Sequence, residues 1–480
     1  MIDTILITNK IVDSEQLEEL SRQFFRVKVL HVFEPKPDLE HLRLINRFSW
    51  LQQVLIDDDL FEIVEPVIHA PRERLSKYVY LNPPAPTAPE HYQTAPGGIL
   101  FVPGNDTHVK MMLPLAEHFP KHHFVVIRGA NADKYLEEYH EPFTTVPMRL
   151  FHSTQYRPRM LEIFREHGIC ALVLGADWSG ENWRLCHLAR RCGIPSICIQ
   201  EGPQDFELEE GRHKQLRHAD YIFLQGLSTL DHLDAVRFYL SGNSRLTAYH
   251  PIPLPEAPMV LINSNFTYGV FEEARDQWVA DCVNACAQLS VDYFISKHPR
   301  DHGDLSKYKV VNSDAFKLPE QMAKCSVTIS RFSQVVHEAM LSGRQVIYYN
   351  PHGEVKRVLT EDRTGGLFHA HDFESLVKAL EIAIQPDFPN KAERDICNKL
   401  HCGPCDGREI ERCVMGIAQV AHQHRLEQER FGEMSSCLQT RPPRPDSAPD
   451  STLGHGVANL LRCVLSEESV QRIRRMIRGK

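Results

Sequence analysis

Twice along this chain the same rhythm recurs: a short apolar run, a stretch of helical period, and another apolar run. That repetition constrains the fold more than any other feature. Strands that alternate with helices bury their apolar faces as a parallel sheet covered on both sides. In the first series Gly98 to Pro103 reads as a buried strand, Asn105 to His118 as a loop and helix, and Phe124 to Arg128 as the next strand. It continues through the strand Ala171 to Gly175, the helix Asn182 to Cys192, and the strands Ser196 to Gln200 and Tyr221 to Leu224. The second series has the strands Met259 to Asn263, Tyr293 to Ser296, Val310 to Asn312, Ser326 to Ile329 and Gln345 to Tyr349, with helices over Glu272 to Leu289 and Ser333 to Ser342. Two proline clusters, Pro83 to Pro96 and Pro251 to Pro258, punctuate the series, because proline withholds a ladder donor and holds an extended backbone.

Two doubly wound sheets joined by a short linker create a cleft between their carboxyl edges, where such sheets bind ligands. Ahead of them, Thr4 to Thr8, Asp13 to Phe25 and Val27 to Val32 read as strand, helix and strand. The expected class is therefore α/β: a small α/β module at 1–82, doubly wound domains at 97–250 and 259–425, a polar, proline-rich linker at 426–454, and a helix at 455–480. That last helix is amphipathic. Val457, Leu460, Leu461, Val464, Leu465, Val470, Ile473, Met476 and Ile477 fall at helical spacing beside Arg462, Arg472, Arg474, Arg475, Arg478 and Lys480, a pattern suited to an anionic membrane surface.

Composition supports two cores and narrows the partners. A chain of 480 residues that is 42% hydrophobic exceeds what one core usually holds. Its net charge of −9 is spread among interspersed acids and bases, so nucleic acid is not an expected partner. Thirteen scattered cysteines, and no basic and apolar leader in Met1 to Lys10, point to a reducing cytoplasm. No apolar run reaches the roughly 18 residues needed to span a bilayer, so membrane contact is expected to be peripheral, at the inner membrane.

Two constellations carry chemistry. Lys297-His298-Pro299-Arg300 follows a strand at a carboxyl edge, and its imidazole and cations suit a phosphate. At the next strand end, Ser330-Arg331-Phe332-Ser333 opens a helix carrying Glu338. Serines there either cap the helix or, with its free amides, bind phosphate, and Glu338 stands about one and a half turns further on, within reach of a ribose.

The run Ser326 to Asn350 resembles the donor-binding segment of bacterial GT-B glycosyltransferases that use cytidine-nucleotide donors, among them sialyltransferases and Kdo transferases and, more distantly, CDP-glycerol transferases. Those families share an acidic-acidic-glycine motif, a His-Pro motif and a serine motif. Gln200-Glu201-Gly202, His298-Pro299 and Ser330 to Ser333 stand in the same order here, with Gln200 in place of one acid. The resemblance spans about residues 97 to 425. It implies two Rossmann-like domains, acceptor first and nucleotide donor second, with no metal or other cofactor. It further implies a CMP-activated donor, Kdo as first choice of sugar and sialic acid as second, and transfer to a surface polysaccharide or glycolipid.

Glu201 follows a strand at a carboxyl edge, placed to act as base or, in a retaining reaction, as nucleophile or stabiliser of the sugar cation. Asp177, at the neighbouring edge, is the second candidate carboxylate, while Asp106 and His108 are candidates for acceptor contact. Cys402-Gly-Pro-Cys405 has the spelling of a redox motif but no strand before it, and with Cys397 and Cys413 its spacing matches no standard zinc pattern, so it reads as a loop. Two rivals stand beside the transferase: a UDP-sugar 2-epimerase, which has the same fold and a serine-to-glutamate helix motif, and a non-catalytic glycan- or nucleotide-binding subunit of a polysaccharide assembly complex.

Overall fold

A computed structural model describes residues 4–431, apart from 13, 25, 33–37, 49–50, 69–74, 79–94, 128–131, 152, 203–215, 231–232, 234–236, 268–269, 315, 361 and 387–389. Most of the first proline cluster and the whole of the amphipathic segment 455–480 lie outside the described residues. So does the linker from 432 onward. Its first residues belong instead to a helix, Glu409–Phe431.

The strands form two fully parallel sheets. The first contains β1 (Thr4–Thr8), β2 (Val27–His31), β3 (Gln53–Asp57), β4 (Leu75–Tyr78), β5 (Gly98–Val102), β6 (His122–Val126), β7 (Phe143–Thr145), β8 (Ile169–Leu174), β9 (Ser196–Ile199), β10 (Tyr221–Leu224) and β11 (Arg237–Leu240). Their order is β4-β3-β1-β2-β11-β10-β9-β8-β5-β6-β7. The second contains β12 (Met259–Ser264), β13 (Asp292–Lys297), β14 (Val310–Asn312), β15 (Val327–Ser330), β16 (Gln345–Tyr349) and β17 (Phe368–Ala370), in the order β14-β13-β12-β15-β16-β17. In each series the order reverses once, between β5 and β8 and again between β12 and β15. Each is thus a Rossmann-like, doubly wound arrangement whose ligand crevice is expected at that reversal. The α/β architecture with two such domains is the GT-B arrangement.

Period-two alternation builds the cores. Leu100, Val102, Leu172 and Leu174 face one side of the first sheet, and Ile99, Phe101, Ala171 and Val173 face the other. Two boundaries differ from the sequence reading. The segment 1–82 adds four strands to the first sheet, because β2 pairs in parallel with β11 from Arg237↔Val29 to Tyr239↔His31. The helix Glu409–Phe431, assigned to the second domain from its position in the chain, seals the first sheet instead: Cys413, Val414, Ile417, Ala418, Val420 and Ala421 join the core of Phe101 and Val173.

Candidate functional site

The first sheet's crevice is organised by the turn after β5. Asn105 caps the helix Asp106–Ala116 by accepting from the His108 backbone N–H at 2.9 Å, which fixes where the His108 ring leaves the helix. The Gly104 N–H donates to His108 Nδ1 at 3.0 Å, so Nε2 carries the proton. That nitrogen lies 2.7 Å from Glu201 Oε2 at the end of β9. The ring passes so close to the end of β8 that a Cβ on Gly175 would sit 2.4 Å from it. His108 is buried, whereas 35% of the Glu201 side chain stays exposed. Withdrawal from water pushes the Glu201 carboxyl up, but the field and hydrogen bond of His108, with Arg245 and Asn105, outweigh this and hold it below the ordinary carboxylate range. Gln200 turns the other way. Its amide donates to Thr229 Oγ1 at 2.8 Å and accepts from the Gln225 N–H at 3.0 Å, which explains an amide where an acid was expected.

In the second sheet, the His298 N–H donates to the Ser264 carbonyl at 3.0 Å and Nδ1 accepts from the Arg300 N–H at 3.1 Å, leaving Nε2 as the donor. Asp301 pins this turn by accepting from Ser264 Oγ at 2.6 Å and pairing with Arg275 at 2.8 Å. Burial lowers the His298 pKa, partly offset by Asp106 from the opposite domain and by Asp301. Lys297 spends its ammonium on the Gly303 carbonyl at 2.6 Å, within its own loop, and Pro299 at the tip is exposed.

Two residues of the serine segment, Ser330 and Arg331, are spent on packing. Ser330 is fully buried, accepting from Asn263 Nδ2 at 2.9 Å and donating to the Arg331 carbonyl. Arg331 is buried over Phe266 and Phe271 and gives both nitrogens of one edge to Glu354, at 2.7 and 3.0 Å. Ser333 Oγ accepts from the Val335 N–H at the start of the helix Val335–Leu341. Arg331 and Ser330 were expected to hold nucleotide. Burial of both away from water makes their internal partners obligatory.

Glu338 reaches the first domain, where it pairs with Arg245 at 3.0 Å, both side chains 5% exposed. Burial and the Glu338 charge push the neighbouring Tyr249 hydroxyl up. Arg245 Nε is buried with no hydrogen-bond partner among the described residues, which leaves a donor for a ligand oxygen. Lys110, on the helix that carries His108, lies 3.5 Å from the Tyr249 hydroxyl, and burial pulls its pKa down to about 8. Two further contacts join the domains: Gln334 donates to Gln225 at 3.1 Å, and Phe316 stacks on Tyr135 with ring centroids 4.5 Å apart. Sequence reasoning missed Lys110, Arg245 and Tyr249. Lys110 carried a signal, as a basic residue amid the apolar period of its helix. Arg245 had none, since it stands between the last strand read in the first domain, Tyr221 to Leu224, and the proline cluster, in a stretch where the sequence marks no element.

Asp177 is not at the reacting centre. Its Oδ2 accepts the backbone N–H groups of Arg217, His218 and Ala219 at 2.9, 2.5 and 2.8 Å, and the side chain is fully buried. It is a strut for the crossover into β10. Asp177→Ala is expected to strand buried donors at a cost of about 1–3 kcal/mol or more, read as a lowered denaturation midpoint, while binding at the cleft persists in the folded fraction. Selective loss of binding without loss of stability would return Asp177 to the site. Cys402 ends the helix Lys391–Cys402 instead of starting one, and burial pushes its thiol well above the ordinary range, so the Cys402–Cys405 pair lacks the activated thiol that exchange requires.

The arrangement defines a class by its fold, a two-domain GT-B-like protein with a carboxylate–imidazole pair and buried cations where the domains meet. Sequence comparison matches the chain to no protein-family model and to no curated protein. Solved structures are similar in fold. UDP-GlcNAc 2-epimerase of Methanocaldococcus jannaschii is 13% identical with a TM-score of 0.48, over 66% of this chain and 99% of that one. The Neisseria meningitidis enzyme of the same description is 12% identical at 0.49, over 66% and 99%. An Anabaena protein in complex with UDP and glucose is 11% identical at 0.44, over 70% and 99%. The CMP-activated donor, with Kdo or sialic acid transfer, is corrected here. Several UDP-GlcNAc 2-epimerases are among the similar structures, and Ser330 and Arg331 of the motif that suggested a cytidine nucleotide are committed to the protein's own packing. Among the described residues no helix is long and apolar enough to cross a membrane.

Proposed function

We propose that the chain acts on a nucleotide diphosphate-sugar held between its two domains, as a 2-epimerase of the UDP-sugar kind. The observation that carries this reading is the Glu201–His108 pair, a carboxylate kept ionised, oriented by a histidine of fixed tautomer, and open to the cleft. Inverting the carbon beside the anomeric centre removes a proton from that carbon as the C1–O bond to the diphosphate breaks; a proton then returns to the opposite face, and C1 takes back the diphosphate to give the epimer or takes water to give free sugar and UDP. One base, one proton donor and a cationic clamp suffice, with no second substrate. Glu201 takes the proton, while Arg245, Lys110 and His298 balance the diphosphate. Glu338 holds Arg245 in place.

The test is incubation with UDP-GlcNAc in D2O without acceptor. Deuterium is expected at C2, with a second epimer or with free sugar and UDP, read by NMR. Turnover that appears only after adding an acceptor glycan would overturn the epimerase and return the site to group transfer.

A further inference from the structure

The geometry points to a structural Zn2+ site formed by Asp362, Cys397 and His401, separate from the cleft chemistry. One ligand atom from each residue lies within 4.8 Å of the others, and His401 Nε2 is 3.5 Å from Asp362 Oδ1. Cys397 and His401 are four apart on the helix Lys391–Cys402, so both project from one face. Asp362 comes from the loop between the short helix Arg357–Thr360 and β17, and three features shape that loop and hold it against Lys391–Cys402. Thr364 Oγ1 donates to Asp362 Oδ2 at 2.8 Å, and Asn390 donates to the carbonyls of Gly365 and Gly366. At Gly366 the backbones come so close that a Cβ would lie 2.6 Å from Cys397 Cβ.

The ligand chemistry selects the ion. Thiolate, imidazole and carboxylate together suit Zn2+, and a tetrahedral site with bond lengths of about 2.0–2.3 Å places its ligand atoms roughly 3.3–3.8 Å apart. The set is almost fully enclosed, with Cys397 at 0% and His401 at 3% exposure, which suits a structural ion whose fourth tetrahedral position a water molecule would fill. His337 adds an independent observation. Its ring packs 4.9 Å from that of His401, and the Nδ1 atoms of both are buried without hydrogen-bond partners. Binding would displace the Cys397 thiol proton to solvent and leave a thiolate–metal bond. The ion would fasten the helix to the second sheet just where the His401 carbonyl accepts from Gln225, which bridges the domains through Gln334.

Purified full-length protein, loaded with Zn2+ and passed over a chelating resin, is expected to retain one equivalent by elemental mass spectrometry. Co2+ in its place should give a thiolate-to-cobalt charge-transfer band. Cys397→Ser should abolish the band, and Asp362→Asn, which keeps the shape of the loop, should weaken Zn2+ binding at least about tenfold. Circular dichroism confirms that each variant is folded. Cys405→Ser, at the exposed cysteine of the neighbouring loop, should leave the band intact. Absence of retained metal in the folded wild type, or a band that survives Cys397→Ser, overturns the site; so does a band lost in Cys405→Ser.

Discussion

Glu201→Gln is expected to fold as the parent does and to lose at least about a hundredfold in C2 proton exchange, the lower range for a general base. The amide keeps the size of the side chain but cannot take a proton. Nucleotide binding should survive, because Arg245, Lys110 and His298 are untouched. The pH dependence of kcat/KM supplies a second reading. Glu201 is held below the ordinary carboxylate range, so the acid limb should fall below pH 4.5. Lys110, pulled down to about 8, should give a loss of activity as pH rises through that value, where its ammonium is neutralised. Lys110→Arg should remove the alkaline limb. A Glu201→Gln enzyme with parental exchange would remove the carboxylate from the mechanism, whatever the cleft binds.

The second large effect concerns stability. Glu354 is 1% exposed and accepts from Arg331, the Phe332 N–H at 2.7 Å and the Tyr348 hydroxyl at 2.9 Å. Burial alone would raise its carboxyl. The His352 hydrogen bond, the Arg331 guanidinium and the Phe332 N–H reverse that and bring it to about 2. Because the folded value is depressed, the stabilisation is present above the unfolded value of 4.5 and fades as pH falls through 4.5 toward about 2, amounting to about 3 kcal/mol. Glu354→Gln leaves the Arg331 charge buried against an amide and is expected to cost about 3–5 kcal/mol at pH 7. Urea midpoints at pH 7 and pH 3 check this. The gap between variant and parent should narrow at the lower pH, and an equal gap at both would show that the pair does not titrate as described.

The strand and helix periods of 98–349 determined by themselves that the chain makes two parallel sheets, because an apolar period of two or of 3.6 dictates which face an element must bury. They also placed Glu201 and His298 at carboxyl edges, since each directly follows a strand, and His108 beside them, in the first turn of the helix that follows one. Local pattern says nothing about which partner satisfies a polar group. Asp177 and Glu201 look alike in sequence, each just beyond a strand, yet three backbone donors brought from some 40 residues away claim the first, while the second stays open. Arg331 looks like a phosphate ligand until Glu354 arrives from the next strand end. Only tertiary structure decided that residues 1–82 extend the first sheet, that the helix Glu409–Phe431 returns to cover it, and that Arg245 meets Glu338. The reason is physical: hydrogen bonds and ion pairs between distant segments depend on where closed packing delivers them, and neighbouring residues carry no record of that.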